Sequence, residues 1–287
     1  MAAIPIYRNP RAARRATGRS GLWRRAFVVA MALAALAPHR AAAFDPQHVE
    51  RLKATRSCEK CDLAGALLER ADLAGARLTG ANLGGARLRG ANLTEATLTG
   101  ANLRAADLTE ADLGRAALQG AAVDDAILTR ANLANADLAG AGLARADLRF
   151  ANLREARLAD ADLTEAKLVQ AFLVKADFTA ALLTAADLTA ATARDAKFFR
   201  ARLIRTRLAR AELRGADFRK AELGEADLSD ADLRAADFIG ADLAHAKIER
   251  ADFKDACFCN TTMPDGRVEM AGCKICEKKP VTGDGAR

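Results

Sequence analysis

From Cys61 to Asn260 the chain repeats one five-residue pattern forty times, without an insertion or a deletion. In the frame Ala71-Asp72-Leu73-Ala74-Gly75, the position two before the centre is Ala in every repeat except at Cys61 and Thr206. The centre is Leu or Phe except at Val123, Ala193 and Ile248. A period of five fits neither a helix at 3.6 residues per turn nor a flat strand at two. A chain with this period must turn at regular intervals and stack on itself.

The rarer residues carry a longer period. Phe178, Phe198, Phe218, Phe238 and Phe258 replace Leu at centres twenty residues apart, so four repeats make one coil. Before the centre, Asp147, Lys167, Asp187, Arg207, Asp227 and Lys247 alternate in sign at the same spacing, which sets opposite charges one above the other. Ten coils at the usual strand spacing of about 4.8 Å give a rod about 48 Å long. Four Leu centres do not offset the entropy of ordering a whole coil, so no coil is stable alone. Stability has to come from hydrogen bonds between coils and from continuous Leu and Phe stacks. The small Ala leaves room for the large centre, and the interior is expected to be solid.

The run Ala-(Asp/Asn)-Leu-x-x, as in Ala81-Asn82-Leu83 and Ala161-Asp162-Leu163, resembles the pentapeptide repeat family over residues 61–260. That resemblance implies an all-β chain wound as a right-handed quadrilateral β-helix. Here Leu dominates the centres and the Phe centres keep almost entirely to one side.

Residues 1–43 hold eight Arg and no acid, and they include the apolar run 26–37. Twelve apolar residues are too few to span a bilayer. Followed by Ala41-Ala42-Ala43, they read as a cleavable export signal that leaves a mature chain from Phe44 and no membrane attachment. Arg24-Arg25-Ala26-Phe27-Val28 resembles a twin-arginine signal, and the long basic lead also suits a bipartite plastid leader. The destination is therefore a periplasm or a thylakoid lumen. The apolar run and the Ala site weigh against a basic arm that binds nucleic acid.

The whole chain carries Lys+Arg 44, Asp+Glu 37 and a net charge of +7. All of that excess lies in the leader, and without it the charge is about −1, typical of neither a phosphate binder nor a DNA mimic. Residues 44–60 read as a helix capping the first coil, with Asp45 as N-cap, Pro46 at the first helical position, and Phe44 and Val49 spaced as a hydrophobic staple. Residues 261–276 read as the opposite cap, with a turn at Pro264-Asp265-Gly266. From 277 to 287 a frayed tail is expected.

The cysteines lie only at the ends, Cys58 and Cys61 at the entrance and Cys257, Cys259, Cys273 and Cys276 at the exit. A rod of about 48 Å forbids a disulfide between the ends. Three pairings remain, all of which staple the caps of an exported protein. The competing expectations are a four-Cys zinc site at the exit and a redox pair at Cys58 and Cys61, which lacks a βαβ setting. The capped ends resemble those of pentapeptide proteins of cyanobacteria and thylakoid lumens.

The mature chain has no Trp or Tyr, serines only at Ser57 and Ser229, and histidines only at His48 and His245. Neither a nucleophile elbow nor a phosphate-cradling Gly loop is present. No enzyme and no cofactor is expected. Nucleic-acid binding lacks stacking residues. The basic run Arg194, Lys197, Arg200, Arg202, Arg205, Arg207 and Arg210 is expected to pair with acids one coil away, Arg202 with Glu222 and Arg210 with Asp230.

The expected function is a non-enzymatic structural or protein-interaction rod, a monomer or weak dimer with an unidentified protein partner. The alternatives are a topoisomerase-binding DNA mimic and a thiol-redox protein. Val169, Phe172, Val174 and Leu182 place apolar side chains outward, and Phe172, Val174 and Arg194 form the candidate interface.

Overall fold

The computed structural model describes residues 44–270 and 273–276. The expected export signal and the expected frayed tail lie outside the described residues.

Parallel bridges join each position before a centre to the position twenty residues later, from Ser57↔Arg77 through Asp242↔Thr262. Each bridge is closed by backbone bonds to the coil below and above. The Asn82 N–H donates to the Cys61 carbonyl at 2.8 Å, and the Leu63 N–H to the Asn82 carbonyl at 2.7 Å. Four such bridges per twenty residues make a quadrilateral β-helix. Its sides are numbered here by their outward columns: side one begins at Asp62, side two at Leu67, side three at Asp72 and side four at Arg77. Bridging starts at Ser57, before the repeat pattern is recognisable, because backbone groups need no consensus side chain to pair.

The corners explain the period of five. The carbonyl of each centre accepts the N–H three residues on, as Leu63 does from Ala66 at 3.0 Å. The fifth residue of the repeat takes a positive φ, +69° at Gly65 and +58° at Glu95. A tight turn with positive φ at its third residue is type II. Glycine enters that region freely, yet most corners here carry other residues, held there by the bonds of the coils on either side.

The interior alternates small and large. The Ala column and the Leu column are buried except at Ala71 and over the last coil, where Ile248, Ala251, Phe253, Ala256 and Phe258 are partly buried. On side four the rings of Phe178, Phe198, Phe218, Phe238 and Phe258 stack with centroids 4.9 to 5.3 Å apart, and Phe253 meets Phe238 and Phe258 edge-on. The exceptional Thr206 stands in the Ala column and is fully buried.

The preference for Asp or Asn before the centre has a local cause. Its Oδ1 accepts the N–H two residues on, at 3.2 Å from Ala64 to Asp62 and 2.9 Å from Thr164 to Asp162. A Thr at that second position adds its hydroxyl at 2.6 Å, as Thr164, Thr179 and Thr189 do. Side-chain amides then link coils: Asn102 donates to Asn82 and Asn82 to Asp62 on side one, and Asn152 to Asn132 and Asn132 to Asp112 on side three. At Gly142, which has no such carboxyl, Asp124 of the preceding coil accepts the Ala144 N–H at 3.3 Å instead. It occupies space that a Cβ on Gly142 would crowd.

Helix α1 (Pro46–Thr55) stands at the entrance. Asp45 caps it by accepting the Gln47 N–H at 2.9 Å. Arg56 ends it in a left-handed conformation and reaches Asp72 at 2.6 Å. Val49 and Leu52 are buried, and Phe44 packs against the same core. At the exit β1 (Thr261–Thr262) pairs antiparallel with β2 (Val268–Glu269). Their connecting loop has Gly266 at φ +83°, the left-handed residue such hairpins require. Leu243 donates to Thr262 at 2.8 Å, which stacks β1 on the last coil. A single turn of helix, α2 (Cys273–Cys276), follows.

Candidate interaction face

The cysteines close into three disulfides, Cys58–Cys61, Cys257–Cys276 and Cys259–Cys273. Of the pairings open at the exit, the outer cysteines join and the inner ones join. The exit cysteines are bonded to each other, and the Cys58–Cys61 bond is buried beneath α1. Cys58 Sγ sits 3.3 Å from the His48 carbonyl, so α1 packs directly on this bond. Among the described residues no group of His, Cys, Asp or Glu could hold a metal ion.

A surface cleft of about 570 Å³ is lined by Glu69, Arg70, Arg89, Gly90 and Glu110, and another of about 470 Å³ lies at the exit hairpin between Ile248, Met263 and Val268. Neither brings a nucleophile and a base together. The outer surface presents four sides ruled with columns of side chains.

Charge on those columns is largely paired. Of the basic run, Arg194 meets Glu212 at 2.6 Å, Lys197 meets Asp177 at 3.6 Å, Arg202 meets Glu222 at 2.9 Å and Arg207 meets Asp187 at 3.4 Å. Arg200 lies over the Phe199 ring at 5.1 Å. The expected Arg210–Asp230 pair is replaced, because Asp230 takes two bonds from Arg250 of the following coil. In the alternating column on side two, only Asp187 and Arg207 come within ion-pair distance among the described residues. Asp147 instead takes both bonds from Arg149 in its own repeat, and Asp217–Arg219 and Asp232–Arg234 repeat that Asp-x-Arg clasp. The clasp holds the Asp232 carboxyl below the usual carboxylate range. A rule that looked only twenty residues away could not find it.

The structure splits the apolar set. Phe172 is 48% exposed on side three, with half-buried Val174 beside it, whereas Leu182 is 41% exposed on side one, the opposite side. Arg194 stands above Val174, and Phe172 bridges to Thr192. One residue escaped the sequence reading: Phe150, 41% exposed at a corner one coil below Phe172, with the Arg130 guanidinium over its ring at 5.6 Å. Its place as fifth residue of a repeat, a position that points outward everywhere else, was the available signal.

Parallel bridges repeating every twenty residues make the chain a repeat solenoid, each coil contacting only its neighbours. The description Pentapeptide repeats matches in eight copies, running from residues 57–94 to 226–263. The chain belongs to the pentapeptide repeat family, and with it to the right-handed β-helices. It is 33% identical to HetL, a pentapeptide repeat protein involved in heterocyst differentiation regulation from the cyanobacterium Nostoc sp. strain PCC 7120, over 77% of this chain and 97% of that one, with a TM-score of 0.40. QnrB1, a plasmid-mediated fluoroquinolone resistance protein, is 20% identical over 57% of this chain and 86% of its own, with a TM-score of 0.50, a likeness of fold. A pentapeptide repeat protein from the Arabidopsis thaliana thylakoid lumen is 28% identical over 36% of this chain and 69% of its own, with a TM-score of 0.28. No curated protein sequence matches.

Proposed function

We propose that the protein is a non-enzymatic structural or protein-interaction rod of ten coils between two stapled caps, working in an exported compartment. The observation that carries this reading is the disulfide set: all six cysteines are bonded, and all six lie at the ends, where a solenoid exposes unpaired edge and core. Disulfides of this kind persist in periplasm, lumen or outside the cell. The leader supports the same address, since it carries the whole positive excess of the chain.

The decisive experiment sequences the N-terminus of the abundant cellular form and counts its thiols. Phe44 at the start and no free thiol are expected. A form that begins at Met1 or Ala2, with reactive cysteines, overturns the exported reading. A topoisomerase-binding DNA mimic would need an acidic surface, and among the described residues no side is uniformly acidic.

A further inference from the structure

We propose that side three, between Arg154 and Arg214, binds an extended acidic peptide segment of another protein and seats one apolar side chain of that segment against Phe172 and Val174. The proposal rests on the protein-interaction reading above and adds to it a surface and a partner chemistry.

The first observation is a run of open donors. On side three the N–H of the residue after the centre is taken by an Asn or Asp side chain at Arg154 (3.2 Å from Asn152), Arg234 (3.2 Å from Asp232) and Lys254 (2.9 Å from Asp252). Between them the column before the centre holds Phe172, Thr192 and Glu212. Among the described residues no acceptor meets the N–H of Val174, Arg194 or Arg214. Three donors one coil apart thus face the side from which side-chain oxygens serve their neighbours.

The second observation is charge. Among the described residues Arg154 and Arg214 have no carboxylate within the 4.0 Å ion-pair distance, while Arg194 between them is held by Glu212. The third is the apolar pair Phe172 and Val174 at the foot of the strip, with Phe150 at the adjoining corner. Donors and cations ask for carboxylates, and exposed Phe asks for an apolar anchor.

Spacing narrows the partner further. Three coils separate Arg154 from Arg214, about 14 Å at 4.8 Å per coil. An extended strand advances about 3.3 Å per residue with alternate side chains on one face, so carboxylates four residues apart span about 13 Å. The apolar side chain midway between them points the same way. The segment is therefore acid-x-apolar-x-acid. A continuous polyanion fits worse, because Glu155, Asp195 and Glu212 stand on the same side. A second copy of this chain fits worse too, since self-docking would set this cationic strip against itself.

The probe is the peptide acetyl-Ser-Glu-Ser-Phe-Ser-Glu-Ser-amide, titrated into the nitrogen-15-labelled mature protein. Amide shifts are expected at Val174, Arg194 and Arg214, with binding that weakens as salt is raised. Phe172→Ser, and separately Arg154→Gln with Arg214→Gln, are each expected to lower the affinity about tenfold or more. All three positions are exposed, so unchanged thermal melts accompany the loss. Equal binding of the Lys-for-Glu or Ser-for-Phe peptide, or shifts elsewhere on the rod, overturns the proposal. Competition by a twelve-residue oligothymidylate at the peptide's own affinity reassigns the strip to nucleic acid and overturns it. Self-association that Phe172→Ser abolishes makes a second copy the occupant, which overturns it as well. If crosslinking in the native compartment captures a partner that neither variant affects, the rod reading stands and this surface falls.

Discussion

The hydroxyl of Thr206 donates to the carbonyl of Leu183 at 2.7 Å, inside the core and one coil down. Thr261 does the same to the Phe238 carbonyl at 2.7 Å, from the same position of the five-residue frame on another side. Both carbonyls already accept a turn N–H, from Ala186 and from Ala241. Each hydroxyl fills the second lone pair of a buried oxygen. Thr206→Val keeps the shape and removes the donor, and it is expected to cost about 1 kcal/mol. A denaturant midpoint equal to wild type would show that the bond contributes nothing.

Leu173 is fully buried at a coil centre, whereas Asp187 is outward. Leu173→Lys puts a charge where no partner exists and is expected to unfold the domain. Asp187→Ala removes more than its contact with Arg207, because Asp187 also accepts the N–H and the hydroxyl of Thr189, at 3.0 and 2.6 Å. The expected loss is about 1–2 kcal/mol. Thermal melts of the two variants separate inside from outside, and equal losses would contradict the burial described here.

Cys257–Cys276 and Cys259–Cys273 close loops with sequence separations of 19 and 14, whereas Cys58–Cys61 closes one of 3. The longer loops restrain the unfolded chain more, by about 3 kcal/mol for a loop of about fifteen residues on the chain-entropy estimate. Cys257→Ser with Cys276→Ser is therefore expected to lower the melting temperature more than Cys58→Ser with Cys61→Ser. Calorimetry of the pair decides, and the reverse order would place the stability of the rod at its entrance.

Asp125, Asp230 and Asp232 have carboxyls held below their ordinary range by the hydrogen bonds of Arg145, Arg250 and Arg234. Their folded values lie below the unfolded one, so the stability they add is present above the unfolded value, about 3.9, and is lost as pH falls through the folded values. The melting temperature should stay level from about pH 7 to about pH 5 and drop below about pH 4. A drop already complete at about pH 5 would point to other groups.

The coil of twenty was legible because rare residues, the Phe centres above all, mark one column each. The Arg-to-acid pairs one coil apart followed from the same spacing, as at Arg202 and Glu222. The Asp-x-Arg clasps were not legible, since they depend on a side chain folding back along its own repeat rather than across to a neighbour. Nor was the open run at Val174, Arg194 and Arg214, because an unmet N–H is visible only once the bonds of its neighbours are known. Phe150 was within reach, since it stands at a corner position that points outward, but the column before the centre carries the stronger periodic signal.

The corners have a consequence for how such a chain can change in length. Every side of the rod depends on the fifth residue of each repeat turning with positive φ, as at Gly65 and Glu95. One inserted residue would send every later Leu to the surface, and five would move each column round to the next side. Only a block of twenty restores both the inward residues and the four columns, adding one coil and about 4.8 Å. The molecule is thus a ruler graduated in coils. The distance between its two stapled ends can be lengthened or shortened only by whole marks, and any pair of docking points on one side is held at a multiple of that unit.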